Sequence, residues 1–419
     1  MMTSSVAGGP RSIRDDDVVV TGIGVISSIG TGVAEFAAGL RAGRSGVSPI
    51  TAFDTSGFDH ANGCEVTDFD PGPWVRTLDP ASLGRAAQFS VSAARMAVED
   101  AGIEAAELAA KRMLVSIGTT DGESSDLDRV VAADLAGGSD AVDPVVAGRT
   151  SASRLSVAVA RELGLVDVET MTIATACAAG NYTIGYGYDA VRSGEVDMVL
   201  CGGADALCRK TFASFYRLGT IAPDVCRPFD ADRQGILTGE GAGVLVLERW
   251  GDARKRGARV YARILGYGLN CDATHQVAPD QDSVARCMAL ALENAGVKPD
   301  EVDLISAHGT GTRANDLTES SAIREVYGGK PPRTISIKSM LGHAMGAASA
   351  LGAIACALAI HRGFIPPTIN HRRTDPELGI DCVPNTALDV APAIVQNNGL
   401  AFGGNNAVVI LGRHEEENP

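Results

Sequence analysis

Apolar residues in this chain follow two rhythms: short unbroken runs, and longer stretches spaced three or four apart. Val18 to Thr21, Met113 to Ile117, Met171 to Ala176, Asp197 to Gly202 and Gly243 to Glu248 are short runs that predict buried strands. Between them, Gly32 to Arg41 predicts a short helix ending at Gly43. Ala86 to Ala101 predicts a helix with Phe89, Ala93, Met96 and Ala97 on one face, stopped by Gly102. Residues 179–193 predict another, stopped by Gly194. Residues 45–80, rich in Pro, Gly and Asp, read as surface loops, and 119–150 as helix and loop. A second series starts near Arg259. Strands are predicted at Val260–Leu269, Leu304–Ala307 and Thr334–Ile337, and helices at Ser283–Ala295 and Asp316–Tyr327. The apolar stretch Ala344 to Ile360 reaches the lower length limit of a membrane span, but its Ala and Gly content suits a buried core helix. Gly-rich turns and a strand at Val408–Leu411 close the chain.

Buried strands alternating with helices imply an α/β fold with parallel sheets covered on both faces. The two series are alike, which points to an internal pseudo-repeat. We divide the chain into a half at 1–254 and a half at 255–419. Residues 1–16, with the charged Arg11 to Asp17 segment, and the tail from Glu415 to Pro419 are expected to be disordered.

A length of 419 residues suits two such halves. Aromatics make up only 5%, so the core must rest on Ala, Val, Leu and Ile. The net charge of −15 argues against a nucleic-acid surface, and an acidic partner would need a local basic patch. The nine cysteines are scattered, odd in number and free of C-x-x-C pairs. This argues against a zinc or disulfide framework and fits a reducing cytoplasm. No apolar signal region opens the chain, and no membrane association is expected.

Cys177 follows the run Met171 to Ala176 and precedes Ala178-Ala179-Gly180 and a helix. A thiol at a strand-to-helix corner meets free N–H groups and a positive dipole end, which favour thiolate. His308 and His343 each follow a predicted strand at a Gly-rich turn, where ligand sites of such sheets lie. One thiol with two imidazoles is equipment for acyl transfer through a thioester. Lys338 is read as a buried cation orienting the histidines and Glu319. Thr310 and Thr312 alternate along one edge, where their hydroxyls can meet the amides of a pantetheine arm. Phe402 between small residues reads as a gate, with Gly403 allowing close backbone approach. His60, His275, His361, His371 and His414 are read as packing or surface residues. Gly22-Ile23-Gly24 begins like a dinucleotide fingerprint, but Ser27 holds the third glycine's place and no ribose-binding acid ends a clear second strand, which argues against a Rossmann site. No Walker A motif is present.

Together these residues resemble the elongating β-ketoacyl-acyl carrier protein synthases of the thiolase superfamily. The resemblance runs from Val18 to about Leu411. It rests on Thr175-Ala176-Cys177, Arg227-Pro228-Phe229-Asp230, Gly239-Glu240-Gly241-Ala242-Gly243, the His308 motif through Asn315-Asp316 to Glu319, Lys338 to His343, and Phe402-Gly403-Gly404 with Asn406. It implies a thiolase-like fold of two pseudo-repeated βαβαβ halves in five layers, α-β-α-β-α. It implies that Cys177 carries an acyl chain and that His308 and His343 support decarboxylation of a malonyl extender and condensation. The amides of Cys177 and Phe402 would form an oxyanion hole, with Lys338 and Glu319 as a supporting pair. Thr310, Thr312, Phe402 and Gly403 would meet the substrate.

The initiating branch of the fold has Asn where His343 stands, and degradative thiolases use a second cysteine, so His343 argues for elongation with malonyl carrier protein. No bound cofactor or metal is implied; substrates would arrive on the phosphopantetheine of an acyl carrier protein. Ala178-Ala179, the segment Asn398 to Phe402, Asn405 and the missing aromatic near Gly235-Ile236 depart from the usual pattern. They suggest a specialised polyketide or unusual-lipid enzyme, most simply the catalytic ketosynthase of a type II polyketide system paired with a chain-length factor. The alternatives are a homodimeric fatty-acid synthase, a non-decarboxylating acyltransferase, and a non-catalytic partner, against which Cys177 argues. Arg209 and Lys210 are candidates for carrier docking, with Arg76 and Arg85 as rivals.

Overall fold

The computed structural model describes residues 13–414. In the first half, β1 (Val18–Ser27), β2 (Met113–Gly118), β3 (Val168–Ile173), β4 (Met198–Asp205) and β5 (Gly241–Arg249) lie in the order β3-β2-β4-β5-β1. In the second, β6 (Ala262–Cys271), β7 (Leu304–Ser306), β8 (Arg333–Ile335), β9 (Ile394–Leu400) and β10 (Asn405–Gly412) repeat that order as β8-β7-β9-β10-β6. Strands β1 and β6 pair antiparallel from Val18 to Val20, joining the two sheets edge to edge.

The expectation of all-parallel sheets is corrected. Helical crossovers do make β3, β2 and β4 parallel, as they do β8, β7 and β9. The strands that close each half return antiparallel: β5 against β4 and β1, and β10 against β9 and β6. For β10 the reason is local, since the short Ala401–Gly404 turn folds it back on β9 as a hairpin.

The helices used below are α1 (Gly32–Ala42), α2 (Arg85–Asp100), α3 (Ser124–Gly137), α4 (Arg154–Glu162), α5 (Ala179–Ser193), α6 (Arg209–Arg217), α7 (Gln281–Ala295), α8 (Arg313–Tyr327) and α9 (Ala348–Arg362). Helices α5 and α9 pack against strands of both sheets. Helices α2 and α4 cover the first sheet from outside, and α7 with α8 cover the second, which gives the α-β-α-β-α layering. Helix α9 has apolar residues all round because both its faces are buried. Leu351, Ile354 and Leu358 are fully buried there, each worth about 1.5–3 kcal/mol. It belongs to the one stretch long and apolar enough to cross a membrane among the described residues, and that stretch is 89% buried inside the fold.

Several boundaries move. Residues Ile13 to Asp16 are not loose: Gly251 N–H donates to the Asp15 carbonyl, and Arg254 pairs with Asp15. Residues 1–12 and 415–419 lie outside the described residues. The loop region 45–80 contributes Ser48–Pro49 and Asn62–Cys64 to a small sheet with Thr238–Gly239. Helix α8 starts at Arg313 rather than Asp316, because the Thr312 hydroxyl caps it by accepting from Asn315 N–H. Strand β3 runs 168–173, ending before the turn that carries Cys177. Strand β9 is not predicted, because Gln396, Asn397 and Asn398 interrupt its apolar pattern.

Candidate active site

After β3 the chain enters a tight turn, Ala176 to Ala178, that leads into α5. Ala176 sits at φ 50°, a left-handed conformation that costs a residue with a Cβ, and Cys177 follows it, buried. The backbone N–H groups of Phe402 and of Cys177 itself face the sulfur and draw its pKa down. Two backbone donors beside the nucleophile are placed to receive the oxygen of a carbonyl that the sulfur attacks. Phe402 reaches the sulfur from the β9–β10 turn, and its ring rests on Phe215 of α6, centroids 5.3 Å apart. Gly403 N–H in that turn donates to the Gln276 carbonyl at 2.8 Å.

The helix start does not make Cys177 a resting thiolate, as the sequence suggested. Burial pushes the thiol up to about 12, against the downward pull of Lys338 and the Phe402 amide. Desolvation outweighs the dipole here.

His308 lies just past β7 and His343 just past Lys338–Leu341, both buried. Their rings meet edge to face, centroids 5.4 Å apart. The ligating atoms of Cys177, His308 and His343 all fall within 4.8 Å of one another. Met345 N–H donates to His343 Nδ1 at 3.1 Å, so in the neutral ring the proton sits on Nε2. His308 Nδ1 faces the Lys338 ammonium at 3.5 Å, which leaves its Nε2 as the proton-bearing nitrogen too. Burial holds both imidazoles well below the ordinary value, helped by Lys338 and, for His308, by His343. At neutral pH both are uncharged hydrogen-bond donors.

Lys338 and Glu319 act on His308 separately rather than as a contact pair. Lys338 Nζ donates to the His308 carbonyl at 2.5 Å. Glu319 accepts from the N–H groups of His308 at 2.7 Å and Gly309 at 2.8 Å. Burial lowers the Lys338 pKa, while the field of Glu319 opposes this. Thr310 and Thr312 reach the cleft, but their hydroxyls bond each other at 2.9 Å. The cleft is narrow, about 100 Å³ in volume. Phe215, Ile236, Val277 and Leu400 line it, and Cys177, His308 and His343 lie along its wall. Ile236, Leu400 and Ala401, three of the unusual positions, thus shape it directly.

Sequence reasoning missed several supporting residues. Asn398, read only as a departure, donates to Glu319 at 2.9 Å and accepts from Gln396, which accepts from Tyr327. Phe229 sits at φ 64° beneath the His308 loop, its N–H held by Asp316. Burial pushes the Asp316 carboxyl up to about 6. A run of amides inside a buried strand was the available signal, because buried polar groups must find partners.

The docking candidates separate. Arg85 bonds the buried Glu240 at 2.6 Å, and Arg76 pairs with Glu99. Arg209 donates to the Asp54 carbonyl and lies over the Phe58 ring, while Lys210 pairs with Asp121 at 2.8 Å. Arg85, Arg129, Arg149 and Arg209 line one broad surface cleft of about 570 Å³.

Two pseudo-repeated halves meeting at a buried thiol and two imidazoles define a thiolase-like enzyme of thioester chemistry. The sequence narrows the class. Residues 15–253 match the Beta-ketoacyl synthase, N-terminal domain, and residues 261–372 the Beta-ketoacyl synthase, C-terminal domain. The chain is 36% identical to 3-oxoacyl-[acyl-carrier-protein] synthase 2 of Synechocystis sp., over 95% of its own length and 98% of the relative's. It is 37% identical to the Tetracenomycin polyketide synthase ketoacyl synthase alpha subunit of Streptomyces glaucescens, over 95% and 97%. The solved structure of the ishigamide ketosynthase/chain length factor superposes with a TM-score of 0.94 at 61% identity, covering 95% of this chain and 99% of that one. The chain belongs to the β-ketoacyl synthase family, the carbon–carbon bond-forming acyltransferases that carry out ketosynthase condensation.

Proposed function

We propose that this enzyme elongates a polyketide chain held on Cys177 with malonyl units delivered by an acyl carrier protein, as the catalytic member of a heterodimer with a chain-length factor. The observation that carries the decarboxylative step is the pair of buried neutral imidazoles, each presenting an Nε2–H beside one thiol.

In the first half-reaction the Cys177 sulfur attacks the thioester carbonyl of the incoming acyl chain. Its proton ends on the departing pantetheine sulfur, which takes it as the acyl carbon–sulfur bond breaks. The oxyanion is held by the N–H groups of Cys177 and Phe402. In the second, the malonyl thioester oxygen takes hydrogen bonds from His308 and His343. Carbon dioxide leaves, and the electron pair it leaves behind forms an enolate whose oxygen those donors stabilise. The enolate carbon attacks the Cys177 thioester, the sulfur departs, and β-ketoacyl carrier protein is released. Lys338 and Glu319 position His308. Thr310, Thr312, Phe402 and Gly403 flank the pantetheine arm. No cofactor of the enzyme's own enters the scheme, and a reducing cytoplasm suits its nine free thiols.

The polyketide reading is supported by the 37% identity to the Tetracenomycin polyketide synthase ketoacyl synthase alpha subunit, and the chain-length-factor partner by the 61% identity to the ishigamide ketosynthase/chain length factor. The partner reading has a surface to rest on. Strand β3 is a sheet edge with Glu169 and Thr170 exposed, and Ala174, three residues before the nucleophile, is exposed as well. Leu127, Val131 and Leu135 form an exposed stripe on α3, and Val166 is 85% exposed. Fatty-acid elongation by a homodimer is the second reading, favoured by the 3-oxoacyl synthase relative.

The test measures carbon dioxide release from malonyl carrier protein and the intact mass of the enzyme after acyl loading, alone and with a co-expressed chain-length factor. Acylated Cys177, carbon dioxide release and polyketide products that require the second subunit are expected. Acyl exchange without carbon dioxide release overturns the decarboxylative reading. Full activity of a homodimer on fatty acyl chains overturns the polyketide one.

A further inference from the structure

The turns that open α5 and α9 superimpose in sequence, Ala176 on Met345, Cys177 on Gly346 and Ala179 on Ala348, and both helices end on a left-handed glycine, Gly194 and Gly363. Each turn is addressed from the other half. Phe402, just after β9 in the second half, brings its N–H to Cys177 in the first. Asp205, the last residue of β4 in the first half, accepts from Gly346 N–H in the second at 2.6 Å. The oxyanion hole is one arm of this crosswise arrangement, and Asp205 is the other.

We propose that Asp205 is a positioning residue for decarboxylation: it grips the turn after His343 so that the imidazole keeps its proton on Nε2, facing the cleft. This rests on the role given to His343 above.

Asp205 is fully buried and its carboxylate takes four donors. Oδ1 accepts from the Thr119 hydroxyl at 2.5 Å and Asp121 N–H at 3.0 Å. Oδ2 accepts from Thr120 N–H at 2.8 Å and from Gly346 N–H. Met345 N–H and Gly346 N–H are consecutive amides across a left-handed residue, Met345 at φ 47°. Successive amides in such a conformation point the same way and favour an acceptor. One takes His343 Nδ1 and the other takes Asp205. Without the carboxylate, the strained turn loses its bond at Gly346 N–H and keeps only the Ala347 N–H bond to the Ala344 carbonyl, so the direction of Met345 N–H toward Nδ1 is less tightly set. The ring is then free to take the other tautomer or to tilt.

Burial and the nearby Asp121 push Asp205 up to about 7. The charged or titratable groups that feel it are Asp121, which Lys210 of α6 holds from outside, and Cys177, whose thiol its field raises. As pH falls through about 7, protonation replaces an acceptor with an O–H and loosens the grip on Gly346.

The test uses the intact enzyme with its partner and compares wild type with Asp205→Asn and Asp205→Ala. Cys177 acylation and malonyl decarboxylation are measured separately on the same preparations. A loss of about 100-fold in decarboxylation kcat is expected, with KM and the acylation rate changed by less than about threefold. The acid limb of decarboxylation near pH 7 should disappear in Asp205→Asn. Equal losses in both half-reactions, or an unchanged pH profile, overturn the proposal. If both variants fail to fold, ¹⁵N NMR of histidine-labelled wild type still decides it: His343 must show an acceptor-type Nδ1 above pH 7 and lose that signature as Asp205 protonates. If His343→Ala itself leaves decarboxylation intact, the role of His343 fails instead.

Discussion

The two halves of this molecule build the same turn and use it for opposite purposes. In the first, the residue after the strained Ala176 is Cys177, and its side chain is the reactive group. In the second, the residue after the strained Met345 is Gly346, which has no side chain to offer. There the turn presents its amides instead, one to His343 and one to Asp205. The same backbone thus supplies a nucleophile on one side of the cleft and an oriented proton donor on the other. Strand order and direction repeat between the halves, so the difference lies in single residues grafted on a duplicated frame.

The largest effect should come from the first turn. Cys177→Ala removes the atom that carries the chain, so condensation is expected to fall by about 10⁴-fold or more, with no acyl adduct by intact mass. A surviving adduct would mean that the halves do not divide the labour in this way. On the second turn, His343→Ala should cut malonyl decarboxylation by about 10²–10³-fold, the usual cost of one oxyanion donor, while acyl loading of Cys177 persists. Comparable losses in the two assays would erase the distinction between a nucleophile turn and a donor turn.

Gly346→Ala tests why the second turn carries no side chain. A Cβ there would lie 2.5 Å from the Thr119 backbone, where Cys177 in the matching place has room for a thiol. A destabilisation of about 1–3 kcal/mol is expected from overpacking, read as a lower melting temperature. If the variant is as stable as wild type, the turns are more alike than their sequences suggest.

The halves should also weaken at opposite ends of the pH scale. His308 and His343 have folded pKa values below the ordinary 6.5, so the unfolded chain takes up protons first. Their contribution is complete above pH 6.5 and is lost as pH falls below it. Cys177 has a folded pKa raised from 9.0 to about 12. Its contribution is complete below pH 9 and is lost as pH rises from 9 towards 12. Denaturant melts across this range should show a shallower acid slope in a His308→Ala, His343→Ala double variant and a shallower alkaline slope in Cys177→Ala. Unchanged slopes would contradict the buried, neutral state of the three groups.

The comparison also explains what the sequence could reveal. Cys177, His308 and His343 were legible because each follows a short apolar run at a Gly-rich corner, a local pattern. The frame was legible in part. Helical crossovers announce parallel strands, but the closing strands run antiparallel for reasons of connection and long-range pairing that no window of residues contains. Strand β9 was hidden by Gln396, Asn397 and Asn398, whose partners come from distant elements: Tyr327, Asn181 and Glu319. Asp205 ends an apolar strand, and its partners, Thr119, Thr120 and Asp121 in its own half and Gly346 in the other, are far from it in sequence. The resting state of Cys177 was misjudged because the dipole of α5 can be read from sequence, whereas the depth of burial cannot.

The smallest effect asks whether the duplication is energetic as well as geometric. Helices α5 and α9 each stop at a glycine in the left-handed region, Gly194 at φ 78° and Gly363 at φ 69°. Gly194 N–H returns to the Val191 carbonyl, and Gly363 N–H to the Ala359 carbonyl. An alanine at either cap keeps these bonds but places a Cβ where left-handed geometry crowds it, at a cost of about 1–2 kcal/mol. At Gly194 the added atom would meet only the flexible end of Arg249 at 3.2 Å, and at Gly363 the Ala391 methyl at 3.5 Å, so neither site adds a severe clash. Gly194→Ala and Gly363→Ala should therefore lower stability by similar amounts in chemical denaturation, and activity at permissive temperature should not change. A markedly larger loss at Gly363 would mean that α9, buried from Ala348 to Ile360, tolerates less adjustment than α5, and that the second half is the stiffer side of the site.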